Sequence, residues 1–299
     1  MDVYLSNHRR HTFPRPSAVT VIFLTLIALA GPWGCDSRPG GGPGQAREGG
    51  VFIWKTAGEV ENLDPAAILF LTDWQIASLV YEGLVAFGPD FETIRPLLAQ
   101  SWDVSPDGRR WVFTLRPDTF FQDDPCFPGG RGRRVVSADV RDSLERVAAP
   151  GGASSNFYLL AGKLEGLDSF HDGQAPAIAG IRLLDDRRIE FRLTRPYVNF
   201  LKVLATPTCY VVPKEATAYY GDRFATHPVG SGPFKPIRFL PLKEIVFRRH
   251  SRYWGRSADG TRLPYLEGIL VRFDSSPNQL AAEFIKGENY LLTTTESEN

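Results

Sequence analysis

The stretch Val229-Gly230-Ser231-Gly232-Pro233-Phe234, followed nineteen residues on by Tyr253-Trp254, constrains the fold of this chain more than any other segment. Glycines on both sides of a serine let the backbone come closer to a neighbour than any β-carbon would permit. Pro233 then fixes φ and launches an extended run. The expected product is a rigid backbone ledge, of the kind that meets a ligand; an ordinary Gly/Pro turn is the plainer alternative. Two enzymatic readings fail on spacing. A G-x-S-x-G nucleophile elbow would need glycines where Val229 and Pro233 stand. The third glycine of the dinucleotide fingerprint is Lys235.

Around the ledge the hydrophobic pattern is that of a mixed α/β chain. Val51 to Trp54 is a short apolar run suited to a covered strand, ended by turn chemistry near Gly58 and at Asn62-Leu63-Asp64-Pro65. Asp73 is placed to cap a helix whose Ile76, Leu79 and Val80 form a stripe. Period-two alternation marks strands over 111–116 and 189–194, the first preceded by the turn Pro106-Asp107-Gly108. Ser137 is expected to cap a second helix carrying Val140, Leu144 and Val147, with Asp139 near its positive end. Shorter helices are expected over 199–204 and 214–220, the latter stopped by Gly221. Strands at 245–247 and 269–273 and a helix from Pro277 to Lys286 complete the pattern.

The first thirty-odd residues follow export physics. A polar, basic start precedes thirteen residues, 18–30, broken only by two threonines: a signal-peptide core, too short for a ~20-residue membrane span. Two processing routes fit, with an uncleaved anchor as the third alternative. Ala28-Leu29-Ala30 is a small-x-small cleavage site, whereas Gly34-Cys35 resembles the end of a lipobox, which would acylate Cys35 although Pro32 and Trp33 depart from the usual pattern. Residues 36–50 then form a Gly/Pro/Ser tether. In an oxidising compartment Cys126 and Cys209 are left as an even pair, either a disulfide or two buried free thiols. No cysteine or histidine spacing suggests zinc or another metal, and no cofactor is expected. Lys+Arg and Asp+Glu both number 34, so no global charge draws the chain to nucleic acid.

Eight short motifs lie in a fixed order: Leu63-Asp64-Pro65, Tyr81-Glu82-Gly83-Leu84-Val85, Pro96 to Trp102 running into Ser105-Pro106-Asp107-Gly108, Trp111 to Arg116, Val136 to Val140, Arg195-Pro196-Tyr197, Val212 to Ala216, and the ledge. Over residues 51–288 this series resembles the family 5 extracellular solute-binding proteins, the capture subunits of peptide, dipeptide and nickel ABC importers. The resemblance implies a periplasmic-binding-protein-like α/β fold of the type II, peptide-binding class: a mixed-sheet lobe with an inserted smaller α+β subdomain. The implied organisation is a signal peptide (1–34), a tether (35–50), a first lobe (51–81 and 196–275), an inserted subdomain (82–195) and the start of a crossover (276–299) towards a second large lobe that this chain does not carry.

The implied function is capture of a peptide or small solute by two-lobe closure, for delivery to ABC permease subunits, by an exported monomer attached to the membrane through a lipid on Cys35; with the first lobe only, the chain is expected to bind peptide weakly or not at all by itself. A ligand-presenting receptor lipoprotein and a secreted hydrolase are the alternatives. The ligand-lining positions implied by the resemblance are Leu69, Phe70 and Leu71 as apolar wall, Phe157 and Tyr158 as an aromatic side, and Gly230, Ser231 and Gly232 as backbone offered to an extended peptide. Core packing is the alternative for the aromatic pair. Arg131, Arg133 and Arg134 read as an exposed basic turn, and Asp123-Asp124 as a solvated one.

Overall fold

The computed structural model describes residues 48–56, 60–152, 154, 156–273, 276 and 285. The expected signal peptide, Cys35, the tether up to residue 47, the helix from Pro277 to Lys286 as a whole and the crossover lie outside the described residues, apart from isolated positions. In chain order the elements are β1 (Val51–Lys55), α1 (Leu71–Val80), β2 (Val85–Phe87), β3 (Ile94–Pro96), β4 (Ala99–Val104), β5 (Arg110–Leu115), α2 (Ser137–Val147), α3 (Leu167–His171), β6 (Ile181–Leu183), β7 (Arg188–Arg192), α4 (Phe200–Leu204), α5 (Lys214–Tyr220), β8 (Phe234–Leu240), β9 (Glu244–Arg249) and β10 (Gly268–Arg272). No helix among the described residues is long and apolar enough to cross a membrane.

Two four-stranded sheets carry the architecture. The first, ordered β1-β10-β9-β8, is mixed: β1 runs parallel to β10 and the other pairs are antiparallel. Its strands come from the two ends of the described segment, so residues separated by two hundred positions share one face. Pro236 sits on the edge strand β8 beside a register shift, where its missing N–H breaks no central ladder. The second sheet, β4-β5-β7-β6, is antiparallel throughout and comes from the middle of the chain; the β2–β3 hairpin stands beside it. Alternation along β5 buries Trp111, Phe113 and Leu115, and Phe113 meets Phe191 of β7 edge-on at 5.7 Å. Such aromatic pairs add specificity beyond the area they bury.

The helix caps differ from expectation. α1 begins at Leu71, and Asp73 lies within its first turn rather than capping it. α2 begins at Ser137, whose hydroxyl instead donates to the Asp185 carbonyl, while the Asp139 carboxylate accepts the Val136 N–H at 2.8 Å. Gly221 does end α5, with φ of 53°.

The basic turn and the acidic pair are exposed at Arg131, Arg134 and Asp123, as expected, but not at Arg133 and Asp124. Arg133 forks onto Asp139 at 2.7 and 2.8 Å and pairs with Glu215 at 2.7 Å, tying α2 to α5. Asp124 is buried and accepts the Tyr220 hydroxyl at 2.9 Å. Of the two cysteine readings, the disulfide is corrected: Cys126 and Cys209 are free thiols. Each has its own setting, Cys126 in the turn that Asp124 closes and Cys209 buried in the 207–209 turn. Burial pushes both thiols up to about 12, away from the thiolate that disulfide chemistry requires.

The ledge docks against the end of α1. A β-carbon on Gly230 would stand 2.1 Å from the Val80 carbonyl oxygen, and one on Gly232 2.7 Å from it. The close approach inferred from the sequence therefore exists, and its partner is the protein's own helix. Gly232 N–H donates to Val80 at 2.8 Å, satisfying a helix-terminal carbonyl that has no partner within the helix. Gly230→Ala and Gly232→Ala should each lower the unfolding free energy by about 2 kcal/mol, as overpacking against backbone does. Urea unfolding checks this; a loss below about 0.5 kcal/mol would mean that the contact relaxes without cost.

Candidate ligand-binding face

The loop leading into α1 is fixed residue by residue. Asn62 accepts the Asp64 N–H at 2.7 Å, and Asp64 accepts the Ala66 N–H at 3.0 Å. Arg146 of α2 forks onto the Asp64 carboxylate and lies over the Phe224 ring. Ser154 donates to the Ala66 carbonyl at 2.8 Å, and the buried Asn156 amide to the Ile68 carbonyl at 2.6 Å. With the loop held on both sides, its last three side chains project outward: Leu69, Phe70 and Leu71 are 59, 70 and 53% exposed. Tyr158, two residues past the Asn156 anchor, is 66% exposed. Its neighbour Phe157 is half-buried and stacked on His171, with ring centroids 3.7 Å apart.

The loop 69–71 and the turn 157–158 are thus brought to one region by the Asn156 and Ser154 bonds. The ledge does not join them. Gly230, Ser231 and Gly232 are buried at the far end of α1, about 14 Å along the helix at 1.5 Å per residue. Both glycines' N–H and C=O groups and the Ser231 hydroxyl are already engaged. Gln122, wholly buried, accepts the Gly230 N–H at 3.4 Å, donates through its amide to the Gly232 and Phe234 carbonyls at 3.2 and 2.8 Å, and uses its own N–H on the Gly230 carbonyl at 2.9 Å. The expectation that this backbone is offered to a peptide is corrected: it holds the fold together.

A cavity of about 340 Å³ runs beside α1 from Leu71 to Pro233. Leu71, Trp74, Gln75 and Ser78 form its helical wall, a face spaced at three and four residues. Phe87 and Phe91 of the β2–β3 hairpin stand opposite, with Phe87 5.7 Å from the Trp74 ring. The Trp74 indole N–H donates to the Tyr210 hydroxyl at 2.9 Å, which fixes the ring plane. The Trp74 wall was not recognised in the sequence, though its three-residue offset from Leu71 is the signal that could have found it. Phe87 and Phe91 carry no such signal, because only the hairpin's packing turns them towards α1.

Glu82 lies at the inner end of the cavity and is 2% exposed. Ser231 donates to one oxygen at 2.8 Å; the Trp254 indole and the Tyr253 hydroxyl donate to the other at 2.9 and 3.2 Å. Desolvation outweighs these three bonds and raises its pKa to about 7. On the other side of the ledge His250 is buried with Nδ1 3.3 Å from the Gly232 carbonyl, and burial lowers its pKa to about 4, keeping it neutral. Asp73, also buried, has an Oδ1 without a partner, and burial raises it to about 6. Among the described residues no cluster of three His, Cys, Asp or Glu side chains is arranged to hold a metal.

Residues 93–298 match the bacterial extracellular solute-binding proteins, family 5. The periplasmic oligopeptide-binding protein OppA of Escherichia coli K12 is 29% identical over 212 residues, covering 69% of this chain and 37% of that protein. The peptide transport periplasmic protein SapA of Salmonella typhimurium is 27% identical over 279 residues, covering 90% of this chain and 48% of that protein. Among solved structures, DppA of Helicobacter pylori in complex with the peptide STSA superposes with a TM-score of 0.67 at 27% identity, covering 81% of this chain and 46% of that one. The chain spans less than half the length of these relatives. The fold is periplasmic-binding-protein-like, as the sequence implied.

Because the folded pKa of Glu82 lies above its ordinary 4.5, the native state holds a proton that the unfolded state releases. Its contribution to stability is therefore complete below about pH 4.5 and is lost as the pH rises towards about 7. The difference in unfolding free energy between the wild type and Glu82→Gln should fall across that window. A difference that is flat with pH, measured by denaturant unfolding, would show a carboxylate ionised at all these values.

Proposed function

The chain belongs to the family 5 bacterial extracellular solute-binding proteins, and on that premise we propose that it is part of the substrate-binding component of an ABC importer for peptides or related small solutes. The observation that carries this reading is the projecting Leu69-Phe70-Leu71 wall, held beside Tyr158 by hydrogen bonds that fix the loop. Three adjacent large apolar side chains left in water favour a covering partner, since burying each one fully is worth about 1.5–3 kcal/mol. In this reading the chain supplies one face of a clamp. A ligand that touches both faces selects the closed state, because some of its contacts exist only there.

The face is carried by a first lobe, 51–81 and 196–275, which includes the first sheet and α1. The segment 82–195, with the second sheet, is the inserted subdomain that supplies Tyr158. The protein is exported, anchored through a lipid on Cys35, monomeric, and hands its ligand to permease subunits. No step of this requires a cofactor or bond chemistry. The arrangement binds and releases.

A photo-crosslinking residue placed at position 70 or 158 should capture a labelled oligopeptide, whereas one at Tyr219, which is 55% exposed elsewhere on the surface, should not. Phe70→Ser should reduce capture at position 158 about tenfold, the equivalent of 1.4 kcal/mol. Equal capture from all three positions, or capture from 219 alone, would overturn the reading.

A further inference from the structure

Tyr253 also lines a second concavity, of about 280 Å³. Its walls include Arg252, Arg256 and Arg262, with Phe120 and Trp254 as aromatic surfaces. Arg256 and Arg262 are directly opposed across an isolated antiparallel bridge, where like charges repel. Each donates through Nη1 to a backbone carbonyl, Arg256 to Gly260 at 3.0 Å and Arg262 to Ser251 at 2.7 Å, so most of their five N–H donors stay available. The carboxylate within their turn is otherwise engaged: Asp259 accepts the Ser257 hydroxyl and the Thr261 N–H.

The surroundings reinforce the imbalance. Arg252 pairs with Asp123 and reaches the Gly132 carbonyl at 2.8 Å, yet its Nε is shut off from solvent with no acceptor. Arg252 and Arg134 lie 4.8 and 5.8 Å from the Phe120 ring, and Arg116 lies 3.9 Å from that of Trp254. Among the described residues none of Arg116, Arg134, Arg256 and Arg262 forms an ion pair with a carboxylate. Asp118 is the carboxylate on the cavity wall. A fold that stacks guanidinium groups on aromatic faces and opposes two of them with most of their donors free has the donor set of an anion site.

We propose that this concavity binds a small oxyanion, a phosphate or carboxylate group carried by a solute, through Arg252, Arg256 and Arg262. Guanidinium forks match such groups bidentately, and the aromatic walls reduce competition from water. The site is separate from the Leu69–Leu71 face and does not depend on peptide capture there.

The test is a titration of the protein with inorganic phosphate and with succinate against chloride at matched ionic strength, following the arginine Nε–Hε resonances and the thermal midpoint. The expected result is a saturable shift of the Arg256 and Arg262 Nε–Hε resonances and a raised midpoint. Affinity should fall at least tenfold in the Arg256→Gln/Arg262→Gln double variant, whose midpoint without anion should be no lower than that of the wild type because a repulsion is removed. Arg188→Gln, which breaks an exposed pair with Asp185, should leave binding unchanged. No saturable shift, equal affinity in the double variant, or the same response to chloride would overturn the proposal. So would binding to phosphatidylglycerol vesicles without a response to either small anion, since the source would then be a lipid surface. Crosslinking from positions 70 and 158 reads the other face, so either proposal can fail alone.

Discussion

The rest of the structure depends on the docking of Gly230 and Gly232 onto the last turn of α1. Three segments distant in sequence meet there: the helix end at Val80, the ledge, and Gln122 from the loop after β5. Helix-terminal carbonyls lack partners within the helix, and in a buried position each would cost the full desolvation of a polar group. The ledge N–H and the Gln122 amide supply those partners, and only glycine lets the backbone come close enough. The direction of α1 is thereby fixed, and with it the line of Leu71, Trp74, Gln75 and Ser78 that walls the cavity.

Around that joint the charges are placed so that burial, more than pairing, sets their behaviour. Burial raises Glu82 despite its three hydrogen-bond donors and lowers His250, so His250 is neutral near pH 7 and Glu82 keeps its proton well above the usual carboxyl range. Neutral groups can occupy a dry joint without the heavy cost of a buried ion. Charged groups are retained where they tie segments together and the arginine keeps partial contact with water, as with Arg146 on Asp64 and Arg133 on the buried Asp139 and on Glu215. These bridges hold the loop before α1 and the α2–α5 contact, the scaffold behind the projecting apolar wall.

Much of the fold was legible because its elements follow simple periods. The strands around Trp111 and Ile189 announce themselves by alternation, and Gly221 marks a helix end. β4 was not legible, since Ala99 to Val104 is largely exposed and polar and is a strand only through pairing with β5. The helix starts were misjudged, by three residues at α1 and by one at α2, because Asp73 and Ser137 have the chemistry of caps, while the final geometry uses Phe70 and Val136 at those positions. At the candidate site, the resemblance gave the loop 69–71 and Tyr158, and the structure brings them together. The ledge illustrates the limit of local reading: glycine chemistry signals close approach, and nothing local says whether the approaching group is a ligand or the chain itself.

The central claim is that ligand is met at the projecting wall and not at the ledge. Hydrogen–deuterium exchange with and without an excess of oligopeptide tests it directly. The account predicts slowed exchange across 66–71 and 156–160, with Gly230 to Gly232 slow and unchanged in both states. Protection gained at the ledge, with the 66–71 loop unaffected, would contradict it.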